Sequence, residues 1–303
     1  MKRGKVEQYI LNKIEEDGGL LLTLIDPDKQ PFEKGAEVAK AAYEGGADAI
    51  LVGGSVGAQG MILDKTTKMI REVVDVPIIL FPGSVGTVTH YADAIYFMYL
   101  MNSRDVYWVS TVQIQGAPVI KRVGIEPLPT AYIIVEPGRA VGWISNANLV
   151  PRDRPDLAAA TALAGEYIGA HFIVIDCGSG APKPAPLKLI SAIKSQVTVP
   201  YFCAGGCRTP QQARDIIKAG ADGIQIGTAF EMEGNSEKIK EKVAAMSKAI
   251  KEAGREKVNS RQKEKTRSLL PTINLPHIPR IKFIRIRKRW ESLKGRIKKK
   301  GEK

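Results

Sequence analysis

Along the first 258 positions the apolar residues fall in short runs separated by helix-period stretches, and each run ends in glycine, proline or acidic residues. The run at 20–25 (LLLTLI) is almost continuously apolar, as befits a strand buried on both faces of a parallel sheet, and it stops at Asp26-Pro27-Asp28. Residues 33–43 then carry the 3.6-residue period of a helix and stop at Gly45-Gly46. The beat repeats with a strand at 49–52 before Gly53-Gly54-Ser55, a helix at 64–74, and a strand at 78–81 before Pro82-Gly83-Ser84. The next crossover, 86–93, is short and broken by glycine, so an irregular third helix is expected there. Strands at 94–100, 130–135 and 172–175 and helices at 105–115, 156–168 and 187–195 continue the series. The stretch 200–230 reads as strand, glycine turn, helix, strand, glycine turn, and a last helix follows at 236–253. Eight strands whose polar and glycine motifs all follow the strand predict an α/β fold, a (β/α)8 TIM-type barrel of about 250 residues.

Composition adds a second region to this picture. The 303 residues carry a net charge of +13, yet residues 259–303 hold 16 Lys or Arg against three acidic residues, which accounts for the whole excess. A neutral barrel (1–258), a proline-punctuated polar linker (259–280) and a basic tail (281–303) are therefore expected. In the tail, Ile286, Trp290, Leu293 and Ile297 recur at spacings of four, three and four, one apolar stripe in a basic field, which suits peripheral contact with an anionic membrane surface. Confinement of the charge to the tail argues against broad nucleic-acid binding. No apolar run reaches the roughly 18 to 20 residues that span a bilayer. The N-terminal 18 residues read as an amphipathic helix and lack a signal peptide's apolar core, so a cytoplasmic protein is expected, with the tail at the inner membrane surface. Cys177, Cys203 and Cys207 have no metal-site spacing and are expected as reduced thiols.

Barrel active sites gather at the C-terminal ends of the strands. The groups that converge there include Asp26, Asp28, Ser55, Asn102, Glu136, Asp176, Ser179 and the turns Gly205-Gly206 and Gly227-Thr228. Those two glycine turns follow the seventh and eighth strands, where such barrels bind phosphate, and turn chemistry is the plainer alternative. Asp26, Asp28 and Ser55 are hard oxygen donors that suit Mg2+ shared with a substrate's phosphates, although a lone strand-end aspartate serves equally as a loop acceptor. Asp176 could accept a proton or orient a hydroxyl, or be a satisfied structural carboxylate. His90 and His171 are read as surface or packing residues. Residues 139–154 exceed the usual βα connection, and their Arg and Trp content fits a lid over the site.

Taken in order, LTLIDPDK (22–29), VGGS (52–55), FPGS (81–84), YIIVEPG (132–138), VGWI (141–144), LAGEY (163–167), GSGAP (178–182) and AGG…GAD…IGTAFE make a sequence that resembles the geranylgeranylglyceryl phosphate synthase family, its larger, oligomeric branch above all. The resemblance runs from about Val6 to Ala253 and implies a Mg2+-dependent prenyltransferase that joins the 3-hydroxyl of sn-glycerol 1-phosphate to geranylgeranyl diphosphate, the first ether bond of archaeal membrane lipids. It implies Asp26 and Ser55 as the positions that hold Mg2+. It implies Val174, Ile175, Asp176, Cys177, Gly178, Ser179 and Gly180, with Gly205, Gly206, Gly227 and Thr228, as the glycerol phosphate site, Asp176 orienting or deprotonating the attacking hydroxyl, and a homo-oligomer. One departure stands out. Before Gly-Ser-Gly the family reads Tyr-Leu-Glu-Ala, and here the residues are Val174-Ile175-Asp176-Cys177, so the tyrosine is absent and the carboxylate is one methylene shorter. The alternatives are a phosphate-cup barrel acting on another prenyl diphosphate or phosphorylated acceptor, and a scaffold that binds membrane or nucleic acid through its tail.

Overall fold

In a computed structural model of the chain, which describes residues 3–269, eight parallel strands close on themselves in sequence order, each hydrogen-bonded to the next and the eighth to the first. The first half runs α1 (Lys5–Asp17), β1 (Leu20–Ile25), α2 (Glu33–Glu44), β2 (Ala49–Gly53), α3 (Gly60–Arg71), β3 (Ile78–Phe81), β4 (Ala94–Leu100), α4 (Val112–Val123) and β5 (Glu126–Ile134). The second half runs α5 (Arg139–Ile144), α6 (Pro155–Ile168), β6 (Phe172–Asp176), α7 (Leu187–Lys194), β7 (Tyr201–Ala204), α8 (Pro210–Lys218), β8 (Gly223–Ile226), α9 (Thr228–Glu231) and α10 (Ser236–Leu269). The predicted (β/α)8 barrel is thus the observed fold, and residues 82–93 between β3 and β4 hold no helix.

Strand alternation splits the apolar residues into two layers. Leu20, Leu22, Leu51, Tyr96, Tyr132 and Phe202 belong to the cluster inside the barrel. Ile25, Ile50, Ile78, Ile133 and Ile175 face outward into the cluster under the helices. Both faces of each strand are therefore buried, which is why the runs read as continuously apolar. At the N-terminal ends of the strands, α1 lays Val6 and Ile10 against the inner cluster. The Glu126 carboxylate, at the start of β5, accepts the backbone N–H groups of Val6 (2.8 Å) and Glu7 (2.9 Å), a side chain from the barrel satisfying donors that a helix start leaves open. That mouth is closed, and chemistry is left to the other end.

Several elements differ from expectation: α3 begins at Gly60 rather than 64, β5 begins at Glu126 rather than 130, and the lid segment opens with the short helix α5. Between β4 and α4 lies a π-helical turn, Tyr107–Thr111, where a single α-helix is predicted, and α4 itself runs eight residues past the predicted end. The last helix continues to Leu269, so the first part of the expected linker is helical. Residues 254–269 hold Glu, Lys, Arg and Gln, which favour helix, and the first proline, Pro271, comes only afterwards. By contacts the chain divides into a barrel unit, residues 1–262, and a unit of residues 263–303, whose described part is the end of α10. The basic stretch 281–303 lies outside the described residues. None of the described helices is long and apolar enough to cross a membrane.

Candidate active site

The C-terminal mouth of the barrel opens on a cavity of about 290 Å3 lined by groups from almost every strand end. Asp26, Ser55, Asp176, Ser179, Gly180, Gly205, Gly206, Gly227 and Thr228 all reach it. Val174, Ile175, Cys177 and Gly178 do not line it. Val174 is buried inside the barrel below the cavity, while Ile175 and Cys177 face outward into the helical layer, as alternation from Asp176 requires.

Asp176, 8% exposed, is held at both oxygens. The Tyr132 hydroxyl donates to its Oδ2 at 2.5 Å and the Gly178 backbone N–H to its Oδ1 at 2.6 Å. Burial pushes the carboxyl above the ordinary range against these two donors, which pull it down; a raised carboxylate is the stronger base. Burial, and after it the neighbouring Asp176 charge, holds the Tyr132 phenol well above its usual value, so it remains a donor. Tyr132 is the lateral partner of Val174 across β5 and β6, so a phenol stands beside the position where the resemblance implies a tyrosine.

Around Asp176 the glycine turns come close. Gly205 and Gly206 both have left-handed φ (81° and 79°), and a Cβ on Gly205 would sit 2.8 Å from Asp176 Oδ1. Only glycine fits there. Arg208, which carries no signal in the sequence, ties the cup together: its guanidinium donates to the carbonyls of Pro182 (3.0 Å), Gly180 (3.4 Å) and Gly206 (3.4 Å). The chain leaves the cup through a capping box, Thr209 and Gln212, with Pro210 in the first turn of α8. Across the cup Ser179 and Thr228 share a hydrogen bond of 2.8 Å between their hydroxyls. Thr228 opens the short α9 directly after β8, the arrangement in which barrels of this type bind phosphate.

Beside the cup, at the ends of β1 and β2, Asp26 is buried and Ser55 exposed. Lys29 Nζ lies 3.0 Å from Asp26 Oδ2, and a Cβ on Gly54 would fall 2.6 Å from Asp26 Oδ1, so the β2 turn closes directly onto the carboxylate. Asp28 and Glu231 complete this rim; burial, and the like charge of Asp26, raise the Glu231 carboxyl. No group of three or more His, Cys, Asp or Glu among the described residues could hold a metal by itself. The donor set of one carboxylate, a hydroxyl and neighbouring acids fits a hard cation that takes its remaining ligands from substrate phosphate and water.

The cavity has an apolar extension. Because the β3–β4 connection holds no helix, the outward-facing Ile95 and Phe97 are left to Val88 and to Val112, Gly116 and Ile120 of α4, and together with the inward Tyr96 and Met98 these form one slot. Gln113 fixes its roof by donating to the carbonyls of Met98 (2.6 Å) and Trp108 (2.9 Å). Tyr99 and Met101, further along the same strand, do not line the slot; the Tyr99 hydroxyl donates to Gly165 O at 2.9 Å. The lid segment contributes Ala140, Val141 and Ile144 to the wall, while Trp143 is 86% exposed and turned to solvent. Arg152 anchors the segment through the carbonyls of Glu136 (3.1 Å) and Pro184 (2.6 Å). The three cysteines are free and buried, and burial raises the thiols of Cys177 and Cys207 to about 12.

Residues 12–247 match the PcrB family model. The chain belongs to the PcrB family. Within it, the chain is 47% identical over 251 residues to the geranylgeranylglyceryl phosphate synthase of Thermococcus kodakarensis, covering 83% of this chain and 99% of that protein. It is 47% identical over 248 residues to the synthase of Methanococcoides burtonii, covering 82% and 99%. The solved (S)-3-O-geranylgeranylglyceryl phosphate synthase of Thermoplasma acidophilum, in complex with its substrate sn-glycerol-1-phosphate, superposes with a TM-score of 0.79 at 34% identity, over 82% of this chain and all of that one. The basic stretch 281–303 falls beyond the residues that the PcrB family model matches.

Proposed function

We propose that this chain is a geranylgeranylglyceryl phosphate synthase, in which the Gly205-Gly206 and Gly227-Thr228 cup holds the phosphate of sn-glycerol 1-phosphate and the slot under α4 holds the prenyl chain of geranylgeranyl diphosphate. One observation carries the reading: the glycine cup after β7 and β8 and an acidic, cation-compatible rim after β1 and β2 stand side by side at one cavity, with the doubly held Asp176 on the cup's other flank and an apolar slot leading away. Mg2+ would be held by Asp26 and Ser55, and there it would balance the charge that builds on the leaving diphosphate. The remaining work belongs to the chain's own residues. The C–O bond to diphosphate breaks as the glycerol 3-hydroxyl oxygen bonds to the allylic carbon, and Asp176 takes the hydroxyl proton. Tyr132 and the Gly178 N–H keep that carboxylate aimed, and the cup fixes the acceptor's distance from the carbon. Lys29, beside Asp26, adds positive charge on the diphosphate side.

Large exposed apolar residues away from the cavity, Trp143, Tyr167 (80%) and Ile168 (69%), suit contact with further copies of the chain, and the basic tail suits peripheral attachment to the inner membrane surface beside a lipid donor. Product analysis with both substrates and Mg2+ tests the activity: an ether product that is lost in Asp26→Ala and on chelation supports it, and no product from the full chain overturns it. Flotation with anionic liposomes tests the tail, where equal recovery of the full chain and a chain ending at Leu269 would refute attachment.

A further inference from the structure

Gln225 sits on β8 with only 5% of its surface exposed, and no step above uses it. Its register neighbours are Leu22 of β1 and Ala204 of β7, and Ala204 in turn neighbours Asp176 of β6. Leu22 and Ala204 belong to the inner cluster, so the Gln225 side chain shares the inner face with Asp176, and both line the cavity. Ala204, with a single methyl group, is the residue between them in the strand register. The glycine cup lies directly above, since Gly205 follows Ala204 and Gly227 comes two residues after Gln225.

The amide is half satisfied. Gln225 Nε2 donates to the Tyr96 hydroxyl at 3.0 Å, while Oε1 is buried without a hydrogen-bond partner. Turning the amide over would let Oε1 accept from Tyr96 and would leave the NH2 group unmet instead. A buried polar atom left unpaired is disfavoured, so in either orientation the site calls for a polar ligand atom. A hydroxyl answers both cases, because it donates and accepts. Other polar groups nearby are committed: the Tyr132 hydroxyl to Asp176, and the Ser179 and Thr228 hydroxyls to each other. Gln113 Oε1 is the other unpaired atom on the cavity wall among the described residues, and it belongs to the apolar slot under α4.

We propose that Gln225 determines acceptor specificity by hydrogen-bonding the 2-hydroxyl of the glycerol phosphate, the hydroxyl that does not react, while Asp176 takes the 3-hydroxyl. This rests on the acceptor assignment made above. A three-carbon acceptor with its phosphate in the cup passes under Gly205 and Gly227, and Gln225 and Asp176 are the two buried groups that flank that path. The small Ala204 leaves the path open.

The test compares sn-glycerol 1-phosphate with 3-hydroxypropyl phosphate, the same acceptor without its 2-hydroxyl, in the wild type and in Gln225→Leu. The wild type is expected to favour glycerol phosphate in kcat/KM by about 10- to 100-fold, the range of one buried hydrogen bond. In Gln225→Leu that preference falls to about threefold or less, chiefly through KM for glycerol phosphate, while the deoxy acceptor serves as an internal control for folding. Gln225→Met is the second variant should the leucine disturb the barrel, and it carries the same expectation. Equal use of the two acceptors by the wild type, the result if the amide holds only water, overturns the inference while leaving the activity standing; so does a preference that survives in either variant. Ether formed from neither acceptor overturns the acceptor assignment and this inference with it.

Discussion

Replacing Tyr132 by Phe removes one oxygen from the barrel interior and changes little else. Tyr132 is 1% exposed and its ring packs edge-on against Phe81 at a centroid distance of 5.7 Å, contacts that a phenylalanine keeps. What disappears is the 2.5 Å hydrogen bond to Asp176 Oδ2, leaving that buried carboxylate with the Gly178 N–H at 2.6 Å. A hydrogen bond to a charged group contributes about 1.5–3 kcal/mol. That energy belongs mainly to the charged carboxylate before it takes the proton, so what kcat loses is the aim of Asp176, a fall of about tenfold or more that outweighs the gain in basicity. The pH dependence has a definite sign. Burial raises the Asp176 carboxyl and the Tyr132 hydrogen bond pulls it down, so the variant's carboxyl moves higher still. The basic form is then lost at a higher pH, and the acid limb of kcat/KM shifts toward neutrality. Stability follows the same carboxylate: with its folded pKa raised above the unfolded one, Asp176 destabilises the fold as pH rises through that window, and the variant deepens the loss. Urea unfolding should show Tyr132→Phe weakened by about 1.5–3 kcal/mol at neutral pH, where the carboxylate is charged, and less in acid, where it is protonated. An unchanged kcat with an unmoved acid limb, and equal destabilisation at both pH values, would mean that the hydroxyl does not act through Asp176.

Other outcomes follow from the same geometry. Gly205→Ala puts a Cβ 2.8 Å from Asp176 Oδ1 and from Gly178 O at a φ of 81°, so glycerol phosphate affinity, read by calorimetry, should fall at least about tenfold with about 1–3 kcal/mol of stability. Gly116 has open space on the slot side, where a methyl group in place of its hydrogen would meet only Ile120 Cδ1, at 3.9 Å, so Gly116→Trp should cut use of geranylgeranyl diphosphate while sparing a ten-carbon donor in competition assays. At the closed end of the barrel, the buried Asp222 meets the half-buried Lys194 (2.7 Å) and Lys257 (3.0 Å), and Asp222→Asn should cost about 2–4 kcal/mol in urea unfolding by removing the carboxylate that the two ammonium groups share. Burial works to raise the Asp222 carboxyl, but the two lysines outweigh it and hold it below the ordinary range; its stabilisation is therefore full above the unfolded pKa and is lost as pH falls through the folded one.

Much of this is legible in the linear sequence because a parallel strand buried on both faces writes itself as an apolar run. The runs at 20–25, 78–81, 94–100, 201–204 and 223–226 coincide with β1, β3, β4, β7 and β8. The glycine cup is legible for a similar reason, since positive φ and close approach leave few residues but glycine at 205 and 206. The rest depends on neighbours far apart in the chain. Tyr132 and Asp176 are 44 positions apart and meet only through the β5–β6 register, and Gln225 meets Tyr96 across 129 positions. Arg208 looks like any charged residue before a helix until its three carbonyl partners converge. The end of α10 escapes prediction because a polar, highly charged stretch reads equally as solvated linker and as exposed helix when no apolar stripe marks the difference.

Catalysis as proposed depends above all on Asp176 acting on an acceptor whose phosphate the glycine cup holds. Ether formation from sn-glycerol 1-phosphate and geranylgeranyl diphosphate, measured beside glycerol phosphate binding in the wild type and in Asp176→Asn, probes that dependence without an intermediary. Product is expected from the wild type, and from Asp176→Asn a rate lower by about 100-fold or more with binding retained. Full product formation by Asp176→Asn, or a wild type that binds glycerol phosphate and forms no ether, would refute it.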